Sequence, residues 1–235
     1  MLSDTLRPKE NIEEYNKKVE KILNNSTGFL VFKQCPEGIC VAADTQRKDW
    51  KTQEVTNIHK ISYDKDKKAI FAMVGNTTRY TEAGPIFAEQ LATDMLPLVG
   101  QYDDLAILTW VHENLINFLR DPSSKAIRNV QYLYYHYGAK PDIYSVMVSY
   151  PNQLTPYGYD SIIHKDSYAC GYDSCKYNDR HLQEDNTEKT LEDIKKQCID
   201  AIQGRIDNPK FPTVGGKVEW ITIDKDGNVE TNIED

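Results

Sequence analysis

Residues 26–44 read STGFLVFKQCPEGICVAAD, and their pattern gives the strongest indication of the fold class. Gly28–Lys33 is a short run of β-forming residues, and Ile39–Ala43 is a second one. The tripeptide Pro-Glu-Gly at 36–38 lies between them and has the composition of a tight turn. The stretch therefore predicts a β-hairpin, and the two alanines that precede Asp44 leave space beside its carboxylate.

Further strands and helices are predicted after the hairpin. Alternating or continuous apolar runs predict strands at Asn57–Tyr63, Ala69–Val74, Ile143–Ser149, Leu154–Ile163, Ser167–Cys170, Lys217–Ile223 and Val229–Thr231. Apolar residues at helical spacing predict one helix through Ala83, Phe87, Leu91 and Met95, a second through Leu105, Leu108, Val111, Leu115 and Leu119, and a third over Glu188–Gln203. The tyrosine-rich segment Asn129–Gly138 clearly shows neither the alternation of a strand nor the spacing of a helix.

This order of elements predicts an α+β protein. Strands come first, two helices follow, then strands, one helix and a final pair of strands. Sheets that each need a covered face, with helices in two blocks, favour a four-layer α/β/β/α sandwich. We expect residues 27–235 to form this single domain, and residues 1–26 to form an N-terminal leader or helical extension with a narrow apolar stripe.

Composition excludes several classes of protein. The chain has 235 residues, of which 40% are hydrophobic, so it can bury one substantial core. No apolar run approaches the length of a membrane span, and the polar start of the chain is unlike a secretory signal. The net charge of −8 argues against nucleic acid as a partner, because binding to its backbone needs basic surface. We expect a cytoplasmic protein, which in a eukaryote would reach the nucleus as well.

The five cysteines indicate reduced thiols rather than disulfides or a metal site. They are Cys35, Cys40, Cys170, Cys175 and Cys198, and they contain no CxxC pair. The five histidines are scattered along the chain, so they add no cluster of metal ligands. The sequence predicts no metal and no cofactor.

The opening hairpin resembles that of β-type proteasome subunits, which are threonine peptidases with the N-terminal-nucleophile hydrolase fold. The resemblance continues through four further motifs, NIHKI at 57–61, AMVG at 72–75, YACGYDS at 168–174 and GGKV at 215–218. It spans nearly the whole chain, although 120–165 contributes almost nothing to it. In catalytic members of that family, removal of a leader exposes a threonine.

The resemblance implies a set of catalytic residues. It identifies Thr27 as the nucleophile, Asp44 as the carboxylate and Lys60 as the lysine, with Ser174 and Asp207 as the further serine and aspartate. A free α-amine, with an ordinary pKa near 8, can take the proton of the threonine hydroxyl. A buried lysine favours the ionised nucleophile, and a carboxylate holds that lysine. The donor to the oxyanion would be a backbone N–H in the loop at Gly75-Asn76.

The sequence departs from the catalytic pattern at several positions. Ser26 stands where catalytic relatives have glycine, and the hairpin turn has one extra residue near Pro36. The segment 171–174 lacks the Gly-Ser-Gly pattern of active subunits, and an insertion at 208–212 follows Asp207.

Three functions therefore stay open. The first is a peptide-hydrolysing subunit of a ring-shaped protease that binds similar subunits and a polypeptide substrate. The second is a non-catalytic ring subunit that retains its leader, and the third is a stand-alone amidohydrolase.

Overall fold

The structure of the protein is a computed structural model. It describes residues 28–49, 52–75, 77–119, 128–138, 143–150, 157–163, 167–171, 174–181 and 184–234. The predicted leader at 1–26 and the predicted nucleophile Thr27 lie outside these residues.

Strands and helices alternate in blocks along the described chain. The strands are β1 (Phe29–Cys35), β2 (Gly38–Asp44), β3 (Gln46–Lys48), β4 (Val55–Asn57), β5 (Ile61–Asp64), β6 (Ala69–Gly75), β7 (Thr78–Thr81), β8 (Gly84–Phe87), β9 (Arg128–His136), β10 (Ile143–Tyr150), β11 (Tyr157–Ile163), β12 (Ser167–Gly171), β13 (Val218–Asp224) and β14 (Val229–Thr231). The helices are α1 (Ala88–Met95), α2 (Asp104–Leu119), α3 (Ser174–His181) and α4 (Leu191–Ile206), and a 3-10 turn at Leu96–Leu98 follows α1. Within the described residues, none of these helices combines the length and apolar character needed to cross a bilayer.

Two five-stranded antiparallel sheets organise the fold. Sheet one has the order β12-β1-β2-β13-β14, and sheet two has the order β11-β10-β9-β6-β5. The hairpin predicted from residues 26–44 is the pair β1–β2, in which Leu30 lies opposite Ala43 and Cys35 lies opposite Gly38. Two small hairpins, β3–β4 and β7–β8, stand apart from the large sheets.

Side chains that alternate along β1 enter different hydrophobic clusters. Leu30 and Phe32 belong to a cluster that joins sheet one to sheet two, where Ile70 and Leu133 contribute. Phe29 and Val31, on the opposite face of β1, pack with Tyr177 of α3 and with Ile194, Cys198 and Ile202 of α4. A third cluster packs sheet two against α1 and α2 through Phe71, Tyr132, Tyr134, Met95, Val111 and Leu115. Each large apolar side chain buried in this way contributes about 1.5–3 kcal/mol.

The first predicted helix begins later than its apolar spacing indicated. Residues from Thr78 to Phe87 form the hairpin β7–β8, and α1 begins only at Ala88. Gly84 has a φ of +123°, a conformation that glycine adopts without steric cost, and Pro85 cannot donate a helical hydrogen bond. The prediction that Ala83 and Phe87 lie in this helix was therefore wrong.

Candidate active site

Asp44 and Lys60 form a buried ion pair at one end of sheet one. Lys60 Nζ lies 2.7 Å from Asp44 Oδ1, and the two side chains are 4% and 0% exposed. Asp44 is the last residue of β2, and Lys60 directly precedes β5, so the pair connects sheet one to sheet two. The two residues are 16 positions apart in the sequence.

Two backbone N–H groups complete the environment of the Asp44 carboxylate. The Phe29 N–H donates to Oδ1 at 2.7 Å, and the Gly215 N–H donates to Oδ2 at 3.0 Å. A buried ion pair is tolerated only when further hydrogen bonds offset the cost of removing both charges from water. The two backbone donors meet that condition for Asp44, and they fix the start of β1 and the loop at Gly215 around one carboxylate.

Gly28 lies directly against the Lys60 ammonium. Its φ is +79°, and a Cβ added at this position would collide with Lys60 Nζ. The Gly28 N–H donates to the carbonyl oxygen of Thr213 at 3.1 Å, which holds the start of the described chain beside the loop before Gly215. Since Gly28 follows Thr27 in the sequence, the ammonium contacts the residue next to the predicted nucleophile.

Glu219 holds the backbone of Lys60 and was not found from the sequence. Its Oε1 accepts the Lys60 N–H at 2.8 Å, and its Oε2 lies 3.2 Å from His59 Nδ1. Burial raises the pKa of Glu219, although its hydrogen bonds with Lys60 and His59 act in the opposite direction. A single carboxylate within the apolar run KVEWITI was the signal in the sequence that could have drawn attention to it.

Ser174 lies close in sequence to a strand end that contacts Gly28. Gly171, at the end of β12, pairs with Phe29, and a Cβ at Gly171 would collide with the carbonyl oxygen of Gly28. The Gly171 N–H donates to the side-chain oxygen of Gln131 in sheet two. Ser174 begins α3 three residues later, and it is buried.

Asp207 and Gly75 occupy different surroundings. Asp207 follows the last residue of α4 and is exposed, and its Oδ1 accepts a hydrogen bond from Gln203 at 2.8 Å. No hydrogen bond between described residues joins Asp207 to Asp44 or Lys60. Gly75 ends β6 with a φ of +115°, whereas its neighbour Asn76, the other residue of the predicted oxyanion loop, lies outside the described residues.

The fold is similar to one seen in a solved structure, that of a mutant of Anbu, designated Gly-1, from Hyphomicrobium sp. strain MC1. The TM-score is 0.52 at 13% sequence identity, and the similarity covers 88% of this chain and 86% of that chain. The chain has a proteasome-type fold. No protein-family model matches the sequence, and no curated protein matches it.

Within this proteasome-type fold, the structure brings together part of the predicted set. Asp44 and Lys60 are in contact, both lie against the start of β1, and Ser174 follows a strand that pairs with β1. Asp207 is on the surface, and Thr27 lies outside the described residues. Among the described residues, no group of three or more His, Cys, Asp or Glu side chains is arranged to hold a metal ion. The arrangement holds one ammonium group, buried and fixed by Asp44, against Gly28 at the start of the described chain.

Proposed function

We propose that the protein is a proteasome-like β-type hydrolase that cleaves peptide bonds with Thr27, after removal of residues 1–26. One observation supports this most strongly. The Lys60 ammonium is buried, is held by Asp44 at 2.7 Å, and lies against Gly28, the residue that follows Thr27. A buried charge is expensive, and its position against the residue that follows Thr27 supports a role for Lys60 beside an N-terminal threonine.

The proposed chemistry is acyl transfer to the Thr27 hydroxyl. The free α-amine takes the hydroxyl proton, and the oxygen attacks the carbonyl carbon of the scissile bond. The Lys60 ammonium favours the ionised oxygen, and a backbone N–H at Gly75-Asn76 stabilises the oxyanion. The leaving amine receives the proton as the peptide bond breaks, and water then hydrolyses the ester and restores the threonine.

The proposal extends to architecture and assembly. The packing of α1 and α2 on sheet two, and of α3 and α4 on sheet one, supports a four-layer α/β/β/α sandwich. If the site were enclosed in a ring of similar subunits, only polypeptides that enter the ring could reach it. Such a ring would allow a protease of this kind to work in the cytoplasm.

A non-catalytic ring subunit is the second candidate, and the position of Asp207 favours it. The resemblance implies a second aspartate near the nucleophile, but Asp207 is exposed and hydrogen-bonded to Gln203. In that case the Asp44–Lys60 pair would serve only to join the two sheets, and the chain would retain residues 1–26.

Intact mass and peptide hydrolysis distinguish the two candidates. The catalytic proposal predicts loss of 26 residues from the purified chain, a new N-terminal threonine, and hydrolysis of unfolded polypeptide. Thr27→Ala should retain the leader and abolish hydrolysis, while the control Thr187→Ala, at an exposed turn, should process and cleave normally. A full-length mass in the assembled wild-type protein, or unchanged hydrolysis in Thr27→Ala, would overturn the proposal. Size-exclusion mass then separates a ring from a stand-alone amidohydrolase.

A further inference from the structure

A cavity of about 760 Å³ lies between α3, α4 and the segment that follows α4. It is on the helical side of sheet one. Among the described residues, five cationic side chains line it: Lys33, Lys176, Arg180, Arg205 and Lys210. Two carboxylates, Glu184 and Asp200, also line it. The charge of the described lining is thus opposite in sign to that of the whole chain, which carries −8.

Glu184 does little to neutralise this cavity, because its charge is already compensated. The buried Lys33 ammonium donates to its Oε2, and His181 Nδ1 lies 2.6 Å from its Oε1. Partial burial by itself would raise the pKa of Glu184, but these two partners outweigh it and lower that pKa to about 2. Among the described residues that line the cavity, and leaving the Lys33–Glu184 pair aside, four cations remain beside the carboxylate of Asp200.

Aromatic rings position one of these cations. The Arg205 guanidinium carbon lies 3.5 Å from the centroid of the Phe29 ring, 5.2 Å from that of Phe211 and 5.5 Å from that of Tyr177. Stacking of this kind uses the face of a guanidinium group, whereas its N–H donors lie in the plane. This planar fork of N–H donors on the guanidinium group matches the oxygen atoms of a phosphate or carboxylate group.

We propose that this cavity binds a small polyvalent anion that carries phosphate or carboxylate groups. Its volume is in the range of small-molecule sites, roughly 300–1,000 Å³, which favours a metabolite over a segment of protein. A cleft lined mainly by one sign of charge concentrates ligands of the opposite sign. The site is independent of any catalytic role of Thr27, although Phe29 contacts Arg205 through its ring and Asp44 through its N–H.

Isothermal titration of the full-length chain with tripolyphosphate and with citrate tests the proposal. We expect saturable binding of at least one probe, weakened when ionic strength rises to about 0.15 M. Binding of tripolyphosphate alone identifies a phosphate ligand, and binding of citrate alone identifies a carboxylate ligand. Absence of saturable binding by both probes at low salt would overturn the proposal.

Charge-matched variants separate this site from a general effect of charge. Arg180→Gln with Lys210→Gln removes two exposed cations of the cavity and should weaken binding by about tenfold or more, since each charge-assisted hydrogen bond is strong. Lys196→Gln with Lys225→Gln removes two exposed cations elsewhere and should change affinity by less than about twofold. Arg205→Lys keeps the charge but loses the planar fork, so it should also bind several-fold more weakly, with folding checked by circular dichroism. Equal losses in the two double variants would contradict the proposal.

Discussion

Lys60 Nζ and Asp44 Oδ1 lie 2.7 Å apart, and both side chains are almost completely removed from solvent. Each charge depends on the other, since removal of either one would leave its partner buried without a counter-charge. The pair also connects the last residue of β2 in sheet one to the residue before β5 in sheet two. Its loss should therefore affect the stability of the fold as well as any chemistry at the start of β1.

Asp44→Asn should destabilise the protein strongly. The amide keeps an oxygen that can accept a hydrogen bond, but the Lys60 ammonium loses its counter-charge in a buried position. Breaking one partner of a buried pair costs about 3–5 kcal/mol, which urea unfolding monitored by circular dichroism measures directly. Asp226→Asn, at an exposed turn, is the matched control and should be close to neutral. Equal unfolding free energies for the two variants would show that the ion pair contributes nothing.

Gly28→Ala tests the contact between Gly28 and the Lys60 ammonium. The added Cβ meets two penalties, a φ of +79° and a collision with Lys60 Nζ. Gly100→Ala meets only the first, because its φ is +76° and the space around its Cβ position is open. The left-handed backbone costs a non-glycine residue about 1–2 kcal/mol, which both variants should show in thermal and urea unfolding.

The difference in unfolding free energy between these two glycine variants measures the cost of the collision with Lys60 Nζ. Overpacking typically costs a further 1–3 kcal/mol or so, and here it displaces a charge from its partner. We therefore expect Gly28→Ala to be less stable than Gly100→Ala by about that amount. If the proposed processing occurs, Gly28→Ala should also retain residues 1–26. Similar stability in the two variants would mean that the ammonium does not lie against Gly28.

The opening hairpin could be predicted from the sequence because the residues that specify it are close together along the chain. Two apolar runs flank a turn tripeptide, and β1 and β2 pair where that pattern indicates. Asp44 and Lys60 were selected through the resemblance to proteasome subunits, and they are in contact. The catalytic roles of Thr27, Asp44, Lys60, Ser174 and Asp207 stay a prediction.

Other features could not be predicted from local sequence, for reasons that differ. Glu219 reaches Lys60 only because β13 pairs with β2, which is distant in the sequence. The strand β9 lies in the middle of sheet two with both faces covered, so Tyr132 and Leu133 are both buried and no polar alternation marks the strand. The helix α3 has the sequence SCKYNDRH, which contains almost no apolar stripe, and among its described side chains Tyr177 joins the hydrophobic cluster on sheet one.

Glu184→Gln should lower the free energy of unfolding at neutral pH but have little effect in strong acid. The pKa of Glu184 is lowered to about 2, below its ordinary value of 4.5, so its contribution is present above pH 4.5 and disappears as the pH falls towards 2. Relative to the wild type, the variant should be less stable at pH 7, with a difference that shrinks between pH 4.5 and 2. Unfolding free energies measured across this range check the sign. A difference that is constant with pH would refute the assignment to the Lys33–Glu184–His181 cluster.

Glu219→Gln should show the opposite dependence on pH. Burial raises the pKa of Glu219, so the folded protein binds a proton more tightly there than the unfolded chain does. The contribution of this group is therefore largest below pH 4.5, the ordinary pKa of glutamate, and is lost as the pH rises through the raised value. Glutamine cannot ionise, yet its side-chain oxygen can still accept the Lys60 N–H.

The stability of Glu219→Gln relative to the wild type should thus improve as the pH rises from 4 to 7. Urea unfolding at several pH values in this interval gives the trend. Glu234→Gln, at an exposed position near the end of the chain, should run parallel to the wild type throughout. A relative stability of Glu219→Gln that falls with rising pH would mean that His59 and Lys60 stabilise the Glu219 carboxylate more than burial destabilises it.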